Sequence, residues 1–279
     1  MKRRLKLKPI IVIILLISLS LLIWARYIST NGLIIKEYKV VNKNLLISFA
    51  GLKIVHFSDI HYGRTIFNKE LEYLVKEINK IKPDLIFFTG DLIDKDIDVN
   101  KDEINEITKI LSKLESNIGA YFVTGNHDIT HKEYLTILKN SGFKDLNNDY
   151  DVLYSEKNEN IFIAGLESEH LGKPDTLKIN EYLDKNKHNY KILLLHTPDS
   201  IEMFNDNTFN LVLAGHSHNG QVRLPFIGSF IYPPGSIKYN NPYYKVNKKD
   251  LYISSGIGTS NLNFRFLNKP SFNFYRLNK

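Results

Sequence analysis

The stretch Gly215-His216-Ser217-His218-Asn219-Gly220-Gln221 follows the apolar run 209–214 and sets two imidazoles at i and i+2. In extended chain such a pair points to one side with about 6 to 7 Å between its members, a spacing at which each ring can take one metal of a paired site. Earlier apolar runs end in the same manner. Leu52 to Ser58 stops at Asp59-Ile60-His61, and Asp84 to Thr89 stops at Gly90-Asp91-Leu92-Ile93-Asp94. Ala120 to Thr124 stops at Gly125-Asn126-His127-Asp128, and Tyr190 to Leu195 stops at His196. One polar cluster after a strand is a turn, but a series of them points to a site, because open α/β sheets carry ligands at the carboxyl ends of their strands. The chain has no cysteine, which excludes thiolate metal sites, cysteine nucleophiles and disulfides and leaves hard O/N donors suited to Mn, Fe, Zn or Mg. Two such ions about 3.5 to 4 Å apart can hold the nonbridging oxygens of a phosphate ester and supply a hydroxide, provided that one carboxylate bridges them.

The elements that must position these donors are legible as periodicity. Leu85-Ile86-Phe87-Phe88 is continuous rather than alternating, as in a strand buried on both faces. Leu71, Leu74, Val75 and Ile78 form one helical stripe that Asn68 can cap, and Ile104, Ile107, Leu111 and Leu114 form a second. Thr130 and Glu133 make a capping box for a third helix, with Tyr134, Leu135, Ile137 and Leu138 as its apolar face. Asp151 to Tyr154 and Ile161 to Ala164 read as a hairpin about 157–160, and 176–187 as a helix with Leu177 and Leu183 inward. Apolar runs at 251–255 and 272–277 read as further strands. Strand, polar loop and helix thus repeat, giving an α/β fold whose two sheet halves meet at their strand ends.

Of the formal charge of +7, all but one unit belongs to the amino terminus. Lys2, Arg3, Arg4, Lys6, Lys8 and Arg26 precede every acidic residue, and the rest of the chain has 31 basic against 30 acidic residues. The folded body therefore gives no electrostatic case for nucleic acid. Ile10 to Ala25 carries no charge; as a helix these residues reach about 24 Å, and Pro9, Tyr27 and Ile28 can extend them toward the roughly 30 Å of a hydrocarbon core. A cleaved secretory signal is the alternative, yet no small-x-small site is well placed after Leu22. The expected division is residues 1–28 as cytoplasmic basic tip and transmembrane anchor, 29–50 as a lead-in and 51–279 as the main domain. The positive-inside rule then places that domain outside the cytoplasmic membrane.

In order, DxH at 59–61, GDLID at 90–94, GNHD at 125–128, His196 and GHSH at 215–218 resemble the calcineurin-like metallophosphoesterase family over residues 50 to 260. The resemblance implies a four-layer α/β/β/α sandwich of two mixed β-sheets with a dinuclear centre on one edge. It also implies that Asp59, His61 and His218 hold one divalent ion and that Asn126, His196 and His216 hold the other, with Asp91 as the bridge and manganese the favoured metal. His127 would then touch the phosphate or leaving oxygen as stabiliser or general acid, its ring oriented by Asp128. Asp94 is the less direct member, orienting a ligand or shaping its loop.

The anchor and the opening DIHYG are similar to the membrane-anchored bacterial branch that includes UDP-diacylglucosamine pyrophosphohydrolases and Gram-positive cell-envelope phosphoesterases. That branch reads GHTHGGQ where this chain reads GHSHNGQ, so Asn219 adds a side chain expected to narrow the substrate pocket. Arg64, His170 and Asn219 are candidate substrate contacts, with Glu167 and Glu169 beside His170 as further cleft candidates. His56, His131 and His188 are expected to be ordinary satisfied or exposed residues. The expected activity is hydrolysis of a phosphodiester or pyrophosphate in a cell-envelope lipid or nucleotide-linked substrate by a monomer. A phosphomonoesterase or protein phosphatase on the same centre, and a catalytically silent envelope scaffold, are the competing expectations.

Overall fold

The computed structural model describes residues 7–204, 208–229 and 231–279; Lys2, Arg3, Arg4 and Lys6 of the basic tip lie outside them. The apolar amino-terminal stretch forms α1 (Leu7–Ile23), which one π-helical turn continues to Ile28. The helix from Lys8 to Ile28 has 21 residues, hence a length of about 31 Å, which matches a hydrocarbon core where the shorter uncharged run fell short. From Lys8 to Ile23 its side chains are exposed on all sides, Leu15 at 62%, whereas Ala25 is buried against the body. It is long and apolar enough to span a membrane.

The body begins with β1 (Ile34–Val41). β2 (Lys53–Phe57), α2 (Asn68–Ile81), β3 (Leu85–Phe88), α3 (Lys101–Leu111), β4 (Gly119–Phe122), α4 (Tyr134–Asn140) and β5 (Phe143–Asp145) follow as strand-helix repeats, their strands parallel neighbours. β6 (Asp149–Tyr154) and β7 (Asn160–Gly165) make the expected antiparallel hairpin. α5 (Leu177–Lys185) leads to β8 (Tyr190–Leu194) and β9 (Leu211–Ala214), both continuing the second sheet in parallel. A small hairpin, β10 (Arg223–Leu224) with β11 (Gly228–Ser229), stands apart from both sheets. β12 (Tyr243–Val246) and β13 (Lys249–Ile253) complete the second sheet, and β14 (Ser271–Asn278) returns to the first. The orders are β1-β14-β2-β3-β4-β5 and β12-β13-β9-β8-β7-β6. Each sheet mixes parallel and antiparallel pairs.

Three apolar layers separate four layers of structure. Ile54, Leu85 and Phe87 of the first sheet meet Ile163, Ile192 and Leu213 of the second across the centre. Outside the first sheet, Val55, Ile86 and Phe88 pack on Leu71, Ile78, Ile107 and Ile137 of its helices. Outside the second, Phe162, Leu193 and Val212 pack on Ile179 and Ile201. Alternate residues of β2 and β3 thus serve different cores, and both faces are dry, which is why these strands read as unbroken apolar runs. Each such side chain, once buried, contributes about 1.5–3 kcal/mol. Val40, Leu45 and Phe49 also enter the central layer.

Local details depart from the sequence expectation where a side chain found a better partner. Asn68 starts α2, but its Oδ1 accepts the Tyr62 hydroxyl at 2.7 Å, while Glu70 accepts the Phe67 N–H at 3.1 Å. Thr130 donates to the His127 carbonyl at 2.7 Å, and α4 starts only at Tyr134, so no capping box forms with Glu133. On α5, Leu177 is exposed at 61% and Ile179 takes the inward position.

Candidate metal centre

Every expected ligand sits just beyond a strand that ends at the seam between the two sheets. β2 delivers Asp59 and His61, β3 delivers Asp91, β4 delivers Asn126 and His127, β8 delivers His196, and β9 delivers His216 and His218. All are buried, none more than 7% exposed. The backbone does not run extended through them. Asp59, His61, Asp91, His216 and His218 have φ of 52°, 45°, 61°, 65° and 48°, a region that non-glycine residues seldom occupy and that marks over-determined functional turns. The premise that His216 and His218 share a strand face is therefore replaced: β9 ends at Ala214, and two left-handed turns send the rings to different partners. Glycines make room for this. Gly90 lies at φ 89°, and a Cβ on Gly125 would stand 2.2 Å from Asp91 Oδ1.

Three donor groups result: Asp59 with His61 and His218, His61 with Asp91 and His127, and Asp91 with His196 and His216. Asp91 Oδ2 lies 3.5 Å from His61 Nε2 and 3.3 Å from His196 Nε2, between the two histidine sets. Asn126 Oδ1 joins the second set 2.9 Å from His196 Nε2. The outer nitrogens are already committed. His196 Nδ1 donates to the Thr89 carbonyl at 2.7 Å, and His216 Nε2 donates to the Pro234 carbonyl at 2.7 Å. Their inner nitrogens nevertheless face each other at 3.2 Å. Two lone pairs cannot do so without a positive charge between them, and only a proton or a metal ion supplies it. The field of the site favours that charge: burial lowers the pKa of His196, but Asp91 outweighs it and raises it to about 9. Burial, then the charge on His196, lowers His216 to about 3. In the other set His61 Nδ1 donates to Asp94 at 3.1 Å, and His61 Nε2 faces His218 Nε2 at 3.1 Å. The donor set therefore fits two cations with Asp91 between them.

The family model for calcineurin-like phosphoesterases matches residues 52–220. The chain belongs to the calcineurin-like phosphoesterase family. An uncharacterized metallophosphoesterase of Bacillus subtilis, YkuE, is 34% identical over 266 residues, 91% of this chain and 88% of that protein. An uncharacterized metallophosphoesterase of Campylobacter jejuni is 32% identical over 88% of this chain and 65% of its own length. A phosphodiesterase of Escherichia coli, YaeI, is 27% identical over 75% of this chain and 76% of its own length. The clusters overlap in the manner of a dinuclear centre typical of this family, and fold and clusters together are those of a metal-dependent hydrolase.

Around this centre of a calcineurin-like phosphoesterase, several side chains occupy places the sequence did not suggest. Asp128 does not face the His127 ring. Its carboxylate accepts the backbone N–H groups of Asp91, Leu92 and Gly125 at 2.8, 2.7 and 2.8 Å and so ties the second and third ligand loops together. The carboxylate beside the His127 ring is Asp94, 3.5 Å from Nδ1. The Lys95 N–H donates to that same Nδ1 at 3.0 Å, which puts the proton of the neutral ring on Nε2. Burial opposes protonation of His127, and Asp94 with Asp91 outweigh it, so its pKa is raised. Asp94 itself is held well below the carboxylate range: burial works against this, and His127, His61 and Arg64 overcome it.

Arg64 is spent on carboxylates, with Nε 2.6 Å from Asp94 and Nη2 2.6 Å from Asp96. Asn219 points away from the cleft. It lies at φ 50°, and its carbonyl and Oδ1 accept Arg223 Nη1 at 2.9 and 3.1 Å. Asparagine suits that left-handed position next after glycine, so the exchange is a backbone matter rather than a narrowing of the pocket. Glu169 accepts the Ser200 hydroxyl at 2.9 Å, and Glu167 accepts the Lys173 N–H at 3.3 Å; both brace their loop. His170 does line the cleft, a cavity of about 280 Å³ over the centre. Beside the expected Asp91, Asn126, His127, His216 and His218, its wall takes in Lys95 and an apolar flank of Val222, Ile231, Pro233, Pro234 and Leu262 that the sequence did not single out. Proline-rich chain without periodicity gave no signal for it.

Proposed function

We propose that this chain hydrolyses a phosphodiester or pyrophosphate bond. Asp59, His61 and His218 would hold one divalent ion, Asn126, His196 and His216 a second, and Asp91 both. The position of Asp91 Oδ2 between His61 Nε2 and His196 Nε2, at 3.5 and 3.3 Å, carries this reading. Two divalent ions there supply Lewis acidity toward phosphoryl oxygens and lower the pKa of water; manganese is the favoured ion. His127 presents its Nε2 proton to the leaving oxygen, with Nδ1 fixed by the Lys95 N–H at 3.0 Å. The apolar flank favours a substrate with a substituent on both sides of the phosphorus, and the relative named as a phosphodiesterase points the same way.

The substrate class follows from placement. The anchor reading puts the domain on the outer face of the cytoplasmic membrane, where lipid-linked or nucleotide-linked envelope precursors are within reach; a diacylglucosamine pyrophosphate is one class to assay. The test is a hydrolysis screen over aryl monoesters, aryl diesters and pyrophosphates with a metal series, run on the full chain and on Asp91→Asn and His127→Ala. Diester or pyrophosphate turnover, lost in Asp91→Asn together with metal content, is expected. His127→Ala keeps its metal and loses rate by about 10²–10⁴, the usual worth of a positioned acid. An Asp91→Asn protein that stays active with full metal content sinks the mechanism, and a strong monoester preference makes the chain a phosphomonoesterase.

A further inference from the structure

We infer that the β10–β11 hairpin is a second membrane contact, seated in the outer leaflet of the bilayer that the anchor crosses and bringing the cleft mouth to the headgroup layer. Its tip is Pro225-Phe226-Ile227, in which the proline suits a turn and two large apolar residues follow where polar turn residues or glycine are usual. Phe226 stands at 109% exposure and Ile227 at 70%, beside Leu224 at 40% and Leu267 at 55%. These side chains border one surface hollow together with Arg223 and Asn241, an apolar rim beside polar groups. Phe226 and Leu267 both hold left-handed backbone, at φ 66° and 50°, a conformation unfavourable for bulky residues and one that in each case leaves an apolar side chain turned toward solvent.

The occupant is fixed by what lies next to the patch. Residues 264–267 are a shared strip: on one side the Phe266 ring meets Trp24 at 5.4 Å, edge to face, and the Arg265 N–H donates to the Ala25 carbonyl at 3.0 Å. On the other side Phe266 bridges Val222, and the Arg223 N–H donates to its carbonyl at 2.9 Å. The hairpin is thereby attached, through one strip of chain, to the outer end of the helix that spans the membrane. Tyr27 and Ile28, exposed at 62% and 54%, continue the apolar surface from the anchor side. An amphipathic surface at that level lies in the interface, with aromatic and aliphatic side chains in the boundary of headgroups and acyl chains. The feet of the hairpin, Val222 and Ser229, line the catalytic cleft, so its opening lies about 10 Å from the tip.

This inference rests on the anchor reading, and its test separates the two. Because the chain has no cysteine, a single cysteine can be labelled with bimane in the full chain, reconstituted in phosphatidylcholine–phosphatidylglycerol vesicles. Labels go on Phe226→Cys, Ile227→Cys, Leu16→Cys in the anchor and Lys157→Cys at the turn of the β6–β7 hairpin. The expected result is quenching of the 226 and 227 labels by lipids brominated near the headgroup, of the Leu16 label by deeply brominated lipids, and of the Lys157 label by aqueous iodide alone. A Leu16 label in lipid with the 226 and 227 labels open to iodide overturns the hairpin contact and keeps the anchor. Hairpin labels shielded from both quenchers assign the patch to a protein partner and overturn it as well. A Leu16 label outside the lipid removes the anchor reading and the hairpin contact with it.

Discussion

Asp94 is the residue whose weight changed most between sequence and structure. The family resemblance gave it only an indirect part, orienting a ligand or shaping its loop, and its Oδ2 lies 3.1 Å from His61 Nδ1 and 2.6 Å from Arg64 Nε. It fixes the His61 tautomer so that Nε2 faces the centre, and Arg64 neutralises it from behind rather than reaching for substrate. Asp94→Asn is therefore expected to weaken metal binding about 10- to 100-fold, as the loss of a carboxylate behind a ligating histidine does. Titration of the metal-free variant with Mn, followed by calorimetry, measures this; an unchanged affinity assigns Asp94 to loop shape alone. That Asp59, His61, Asp91, His196, His216 and His218 gather at one seam was readable because polar residues after apolar strands have few structural reasons to recur. The partnership of Asp94 with His61 was not, since a contact across 33 positions leaves no trace in local spacing.

Among the elements, the strands were legible and the turns that use them were not. β2 is a continuous apolar run interrupted by His56, which proves to be fully buried, its Nε2 2.9 Å from Thr89 Oγ1 and its ring stacked on Tyr275. Burial lowers its pKa to about 3, so the unfolded chain, with a value near 6.5, takes up this proton first. The neutral ring then supports the fold fully above about pH 6.5, and that support fades by about 1.4 kcal/mol per pH unit as the pH falls toward 3. Denaturant unfolding between pH 4 and 6.5 is expected to show a shallower pH slope for His56→Gln than for the parent, whatever the variant's absolute stability. Equal slopes would mean that the folded protein accommodates a charged His56. The ligand turns escaped the sequence for a different reason: five non-glycine residues with positive φ obey no propensity and are held by contacts between loops, such as the three N–H groups gathered by Asp128. The apolar cleft flank between Val222 and Pro234 has neither helical nor strand period, so its role could emerge only with the fold around it.

At the scale of the whole molecule, the centre works against the fold that carries it. The left-handed ligand positions cost of the order of 1–3 kcal/mol each, and Asp59 and Asp91 are buried at the seam of the two sheets. Burial raises the pKa of Asp59, whereas the neighbouring histidines keep Asp91 low, so the metal-free seam is a compromise between desolvation and incomplete pairing. Cations that bind only the folded chain offset this by mass action, about 2.7 kcal/mol per site at a hundredfold excess over Kd. For a body of this size each kcal/mol is worth roughly 2–4 °C, so saturating both sites raises the unfolding temperature by about 10 to 20 °C. Thermal scans of the full chain in detergent, with Mn and with chelator, are expected to differ by that amount, and Asp91→Asn is expected to close most of the gap. A melting temperature indifferent to the chelator would mean that the seam is stable with its lone pairs opposed, and the dinuclear reading would lose its physical basis.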